Sequence, residues 1–239
     1  MTRIGTAGWS IPRASAESFP GKGPHLARYA RILPFAEINS SFYRPPLPAT
    51  WTRWAATVPA GFLFSVKAPR SITHEAALAP APGLLEDFLT GAHLLGDKLG
   101  PILFQLPPKQ AFDPTTAERF LKNLRTRYSG TAALEPRHAT WFTPQVSALL
   151  AAYEIARVAA DPARVPEAAL PGGWPGLRYY RLHGSPRIYY SPYEHDFLTR
   201  LANDFKHHPN TWVIFDNTAS GAAAANALSL AQITTGKIS

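Results

Sequence analysis

The stretch FLFSVKAPRSITHE, residues 62–75, runs an apolar strand into four ionisable side chains, Lys67, Arg70, His74 and Glu75. Elsewhere stand Glu37 in EINSSFY, Glu135 and Arg137 in EPRH, Arg181 and His183 in RLHG, and Asp216 in FDN. Two carboxylates such as Glu37 and Glu135, facing each other, suit general acid–base chemistry, because their neighbours can push their pKa values apart. Lys67 is a Schiff-base nucleophile if desolvated, but nearby carboxylates would keep it protonated, which favours an electrostatic contact to a substrate anion. His74 carries protons near neutral pH. The rival reading is a structural plug that sets Lys67, Arg137 and Arg181 against Glu37, Glu135, Asp161 and Asp216, since buried charges must be paired.

His138, His183, Glu135, Asp161 and Asp216 are metal-ligand types. The spacing HExxH is absent, and three cations in the same place oppose a divalent ion. The expectation is therefore a site without metal or cofactor. Two loops suit anions: LHGSPRIYYSPY, with Arg187, Tyr189, Tyr190 and Tyr193, and DNTASGAAAAN, with Asn217 ahead of an alanine-rich helix. Helix N-termini hold phosphate well, and barrel enzymes often bind it between their last two loops. The tyrosines and Trp9 are able to stack on a ring or base, or simply cover the barrel.

Side chains this far apart in sequence need a frame. Eight apolar segments alternate with helical stretches: RIGTAGW, FAEINSSFY, FLFSVKAP, GPILFQLPP, AALEPRH, ARVAAD, LRYYRLHG and TWVIFDN. This alternation predicts βα units and a parallel sheet. Asp113 with Pro114 and Thr143 with Pro144 mark two helix starts. The stretch PARVPEAALPGGWPG is too rich in proline and glycine for a helix, so an irregular crossover is expected after the sixth strand. A single TIM-type (β/α) barrel over residues 1–239 is the leading architecture. A doubly wound open sheet lacks its GxGxxG fingerprint.

Such barrels keep their active site at the strand C-termini. With β-branched and aromatic residues taken as the outer set, alternation turns Glu37, Asn39, Ser41, Ser65, Lys67, Gln105, Glu135, Arg137, Asp161, Arg181, His183 and Asp216 inward. Lys67 then ends its strand in the barrel mouth, beneath a roof made by Arg70, His74 and Glu75.

The 239 residues are 46% hydrophobic, enough for one large core, and contain no cysteine, which excludes disulfides and thiolate metal sites. The opening MTRIGTAGWS has no leader pattern, and no apolar run is long enough to span a bilayer. A cytoplasmic protein without a membrane partner is expected. A net charge of +8 makes a nucleic-acid partner the alternative to a small anion, although the basic residues are scattered.

The blocks IGTAGWS, EINSSFYRPP, FSVKAPRSITHE, QLPP, EPRHATWF, RLHG and FDNTASGAAAANAL resemble, in order, those of the YecE-like family, also called domain of unknown function seventy-two. The resemblance runs from Ile4 to about Leu230 and implies a TIM-type barrel with no established activity. That barrel is similar to those of the endonuclease-IV and xylose-isomerase group, which use metal clusters; this sequence lacks such a histidine-rich cluster, so metal nuclease activity would rest on fold analogy alone.

The expected function is an enzyme acting on a small anionic, hydroxyl-bearing substrate, such as a sugar phosphate or sugar acid. Glu37, Glu135, Lys67 and His74 are the candidate catalytic residues. Asn39, Tyr43, Arg70, Gln105, Arg137, His138, Asp161, Arg181, His183, Arg187, Asp216 and Asn217 are the candidate substrate contacts. A nucleic-acid-binding or phosphodiester-processing protein and a non-catalytic module with a buried charge network are the alternatives.

Overall fold

The computed structural model describes residues 2–79, 81 and 83–236. Its strands are β1 (Arg3–Ala7), β2 (Phe35–Ile38), β3 (Leu63–Lys67), β4 (Leu99–Gln105), β5 (Ala132–Glu135), β6 (Ile155–Arg157), β7 (Ala159–Asp161), β8 (Gly172–Gly173), β9 (Arg178–Leu182) and β10 (Thr211–Phe215). They form one sheet in the order β7-β9-β10-β1-β2-β3-β4-β5-β6-β8. Every pairing is parallel except that of β6 with β8. Because β6 and β7 are consecutive in the chain, the sheet curls into a nearly closed barrel. Helices α1 (His25–Tyr29), α2 (Pro48–Thr57), α3 (Leu84–His93), α4 (Pro114–Arg127), α5 (Pro144–Ala152), α6 (His195–Phe205) and α7 (Ala222–Thr235) surround it.

All eight expected segments contain strand, and the barrel resembles the TIM type while departing from its regular pattern. The sixth segment is split at Val158. Ahead of it β6 pairs with β5, and beyond it β7 pairs with β9. The Val158 N–H still reaches Leu134 O at 2.9 Å. The crossover that follows is irregular, as its prolines and glycines predict. It holds a short 3-10 turn (Pro166–Ala169) and then β8, which folds back on β6 with Gly173 at φ +65°.

The helix starts follow local chemistry. Asp113 accepts the Thr116 N–H at 2.7 Å, and Thr143 accepts that of Val146 at 3.2 Å. Each thereby satisfies a donor that the first helical turn leaves free.

Inside the barrel the floor is apolar: Phe35, Leu103, Ala133, Val158, Tyr179, Trp212 and Ile214 pack together. Phe35 and Trp212 touch with ring centroids 4.7 Å apart. Aromatic residues thus turn inward on three strands, contrary to the outward assignment expected of them, because only large rings fill a ring of strands this wide. Leu106, Phe120, Leu124 and Leu150 belong to the larger core outside the floor.

Gly5 fits where β1 meets β2, since a Cβ there would lie 2.2 Å from the backbone oxygen of Phe35. Gly5→Ala is expected to destabilise the protein by about 1–3 kcal/mol or more, because overpacking beside backbone has no relief. Urea denaturation checks this, and an unchanged midpoint would refute the close approach.

Candidate functional site

One fully buried guanidinium organises the C-terminal end of the barrel. Arg181, on β9, donates from Nε and Nη2 to the two oxygens of Glu37 at 3.1 and 2.7 Å. Its Nη1 donates to Glu135 Oε2 at 2.8 Å, and its Nη2 also reaches Asp216 Oδ2 at 3.0 Å. The inward positions of β2, β5 and β9, and the residue just past β10, therefore meet at one point. Tyr179 lies two residues before Arg181 on the same strand face and donates its hydroxyl to Glu37 Oε2 at 3.1 Å. With that proton committed, the Ser65 hydroxyl donates to the Tyr179 oxygen.

Above Arg181, His183 stands between two carboxylates. Its Nδ1 lies 3.0 Å from Asp216 Oδ2 and its Nε2 3.0 Å from Glu135 Oε1. Arg137 Nη1 also lies 3.2 Å from Nε2 and opposes a proton there, but a neutral imidazole donates from one nitrogen only, so the two carboxylate partners favour the imidazolium. Burial pushes His183 down, yet Glu135 and Asp216 together hold its pKa above the ordinary histidine value. Burial likewise pushes Glu135 and Asp216 up. For Glu135, Arg181, His183 and Arg137 reverse this and bring its pKa well below the carboxylate range. For Asp216, Arg181, His183 and Lys67 do the same. Arg137 donates to Glu135 Oε1 at 2.6 Å and is the guanidinium of the cluster that reaches its rim.

Lys67 differs from every other charge here. It ends β3 with 6% of its surface exposed, and among the described residues its ammonium makes no hydrogen bond and has no carboxylate within 4.0 Å. It sits instead over the ring of Phe42, 4.1 Å from the centroid. Burial and Arg181 lower its pKa to about 8, against the upward pull of Glu37, Glu135 and Asp216, so the ammonium expected beside these carboxylates still predominates at pH 7 but by a narrower margin. The edge of His74 meets the same Phe42 ring at 4.9 Å. Burial, Lys67 and Arg70 hold His74 below the ordinary histidine value.

The remaining candidates divide. Asn39, just past β2, and Gln105, the last residue of β4, are half-buried, and Asn39 Oδ1 is buried with no partner among the described residues. Arg70 is exposed and pairs with Glu75 at 3.0 Å, straddling a single π-helical turn (Ser71–Glu75) that roofs β3. Tyr43 is exposed and packs edge-on against Phe42.

Asp161 does not join the cluster. Inward positions on this strand are Ala156, Val158 and, by alternation, Ala160, so Asp161 points the other way and accepts the Tyr193 hydroxyl at 2.7 Å. His138 caps a 3-10 turn by accepting from Thr140 N. Asn217 is a loop brace, donating to Ser191 O at 3.0 Å and Asn226 Oδ1 at 2.9 Å. Arg187 is exposed and stacks on Tyr190, 3.9 Å from its centroid. The two loops expected to cradle phosphate bond to each other, with Ala219 N–H donating to Tyr189 O at 3.0 Å.

Three participants escaped the sequence reading. Tyr179 was assigned outward as an aromatic, although its spacing from Arg181 and His183 places it inward. Phe42 was read as strand rather than as the cover of Lys67. Tyr189 was named only as a stacking surface. It has φ +71°, unusual for a bulky residue, and its N–H donates to His183 O. Its ring stands edge-on to His183 at 6.0 Å.

Among the described residues no group of three or more histidine or acidic side chains is arranged to hold a metal ion. No helix among them is long and apolar enough to cross a membrane.

Fold and site together define an α/β-barrel protein with a buried charged cluster at the C-terminal ends of its strands. The chain belongs to the family described as "Protein of unknown function DUF72", which it matches over residues 3–238. It is 30% identical over 145 residues to the protein YecE of Escherichia coli, a match that covers 59% of this chain and 50% of that protein. The match thus spans about half the length of this curated relative. A DUF72 family crystal structure from Enterococcus faecalis superposes with a TM-score of 0.82 at 21% identity, covering 100% of this chain and 97% of that one. One from Thermotoga maritima gives 0.80 at 23%, covering 98% and 99%.

Two outcomes follow from the cluster. Arg181→Met leaves three buried carboxylates without their shared partner and is expected to cost about 3–5 kcal/mol at pH 7 by urea denaturation; a loss under about 1 kcal/mol would make the cluster energetically idle. The second concerns pH. Because the pKa of His183 is raised, its stabilisation is fully present below the unfolded value of about 6.5 and fades as pH climbs through the folded one. The lowered pKa values of Glu135 and Asp216 act oppositely, their contribution fading as pH falls below about 4. Nitrogen NMR at pH 6 should find both His183 ring nitrogens protonated, and a neutral tautomer there would overturn the assignment.

Proposed function

We propose that the barrel mouth binds a small anionic, hydroxyl-bearing molecule, a sugar phosphate or sugar acid, and acts on it by general acid–base chemistry. The observation that carries this reading is the unpaired ammonium of Lys67. Glu37, Glu135 and Asp216 meet Arg181, Arg137 and imidazolium His183 in direct contacts. Lys67 is the cation left over, and a substrate anion would satisfy it, with Arg137 reaching the same rim. The unpartnered Asn39 Oδ1 suits a substrate hydroxyl.

Glu37 and Glu135 are poor proton shuttles in this state, because Arg181 holds both and Glu135 is kept strongly acidic. His74, whose ring is neutral at pH 7, and Lys67 suit proton transfer at the rim better. The four carboxylate hydrogen bonds of Arg181 favour a second reading for the deeper residues, in which they only hold the strands together.

Calorimetry with inorganic phosphate and a panel of sugar phosphates and sugar acids tests the reading. Wild type should bind at least one of them, and Lys67→Met should lose that binding. The same variant should be as stable as wild type or more stable by up to about 3 kcal/mol, since it removes a buried charge whose pKa is displaced downward from 10.5 to about 8. No anion binding by wild type, together with a destabilised Lys67→Met, would leave the structural plug. Tight, salt-sensitive binding of DNA would instead favour the nucleic-acid class.

A further inference from the structure

We propose that Lys67 is an imine-forming nucleophile, and that the molecules it takes are small aldehydes or ketones carrying a phosphate or carboxylate. The inference deepens the function proposed above and rests on it for the anionic part of the ligand.

An amine needs three things for this chemistry: a lone pair available near neutral pH, no competing partner, and a pocket that keeps bulk water from hydrolysing the product. Lys67 lies at the end of a barrel strand, 6% exposed, with no carboxylate partner among the described residues. Its ammonium rests against the face of Phe42, a contact that uses none of its N–H donors in a hydrogen bond. Burial governs its titration most, followed by Arg181, which also lowers the pKa, and by Glu37, Glu135 and Asp216, which raise it, and the result is a pKa of about 8. His74 is near enough in the roof to feel the charge of Lys67, while Arg70 and Glu75 beside it pair with each other at 3.0 Å on the exposed side. Arg137 remains at the rim to hold the anionic end of the same molecule.

The step balances without any further reactant. The neutral amine of Lys67 adds to the carbonyl carbon and gives up one N–H proton, which passes to the carbonyl oxygen to leave a neutral carbinolamine. A second proton, taken from solvent at the rim, lets that hydroxyl depart as water and leaves the iminium, which neighbouring C–H or C–C bonds can use as an electron sink. Added cyanoborohydride supplies hydride and fixes the bond as a secondary amine.

The experiment treats the full-length protein with dihydroxyacetone phosphate or with neutral glycolaldehyde, each with cyanoborohydride, and maps the adduct by peptide mass spectrometry. A single adduct at Lys67 is expected, formed at least tenfold faster than at any surface lysine and half-maximal near pH 8. Lys67→Arg, which keeps the charge, should lose the adduct and still bind inorganic phosphate. Adducts spread evenly over surface lysines, or none at Lys67, would overturn the inference. If phosphate binds and Lys67 stays unmodified by both probes, the imine alone fails and the anion-binding reading stands. If glycolaldehyde labels Lys67 while no anion binds, the imine stands and the anionic substrate fails.

Discussion

The structure depends on a single guanidinium buried among three carboxylates. Moving charges out of water costs several kcal/mol apiece, so such a group persists only when it is paired and hydrogen-bonded. Arg181 meets that demand with four hydrogen bonds from Nε, Nη1 and Nη2 to Glu37, Glu135 and Asp216. A lysine would not serve, because its point charge cannot present a planar fork to two carboxylates at once. The ion group also ties together segments from four strands that are distant in sequence. The barrel's upper layer is thus fixed by charge, and its lower layer by Phe35, Tyr179, Trp212 and their apolar neighbours.

This division separates charges that build from charges left available. Glu37 has both oxygens on Arg181 and takes a further bond from Tyr179. Glu135 is shared among Arg181, Arg137 and His183. Neither can accept a substrate proton without releasing a cation in the interior. Lys67 has no such commitment. The same deep network therefore sets the rim's chemistry: Arg181 pushes the Lys67 pKa downward while the carboxylates push it upward, with burial the largest influence.

Much of this was legible in the sequence, and the failures have physical reasons. Period-two alternation located Glu37, Lys67, Glu135, Arg181 and His183, since a strand ending in an inward charge is rare unless the charge has partners. It failed at Asp161, where the phase is set by Val158 and the polarity of the final residue misled. It also failed at Tyr179, because assigning aromatics to the outside ignores how wide the barrel interior is at its floor. His138 caps a turn and Asn217 braces a loop, roles the residue types alone did not announce, because capping and bracing use the same polar atoms as substrate binding would. No local pattern reports that Lys67 is the unpaired cation, because pairing depends on which strands become neighbours. That information lives in the topology.

The split at Val158 gives the ring a different character at each height. Among the described residues, backbone bonding between the sixth segment and β9 runs only through β7, at Ala159–Asp161. Lower down, β6 turns its free edge to the short return of β8 instead. The cylinder is therefore seamed like a cup whose rim is stitched and whose side is left with a slit, backed by a strip of Gly172 and Gly173. Water excluded by the stitched rim is what lets a handful of charges feel one another strongly. The slit lies level with apolar side chains, which need no such insulation, so the barrel places its weakest seam where electrostatics has least to lose.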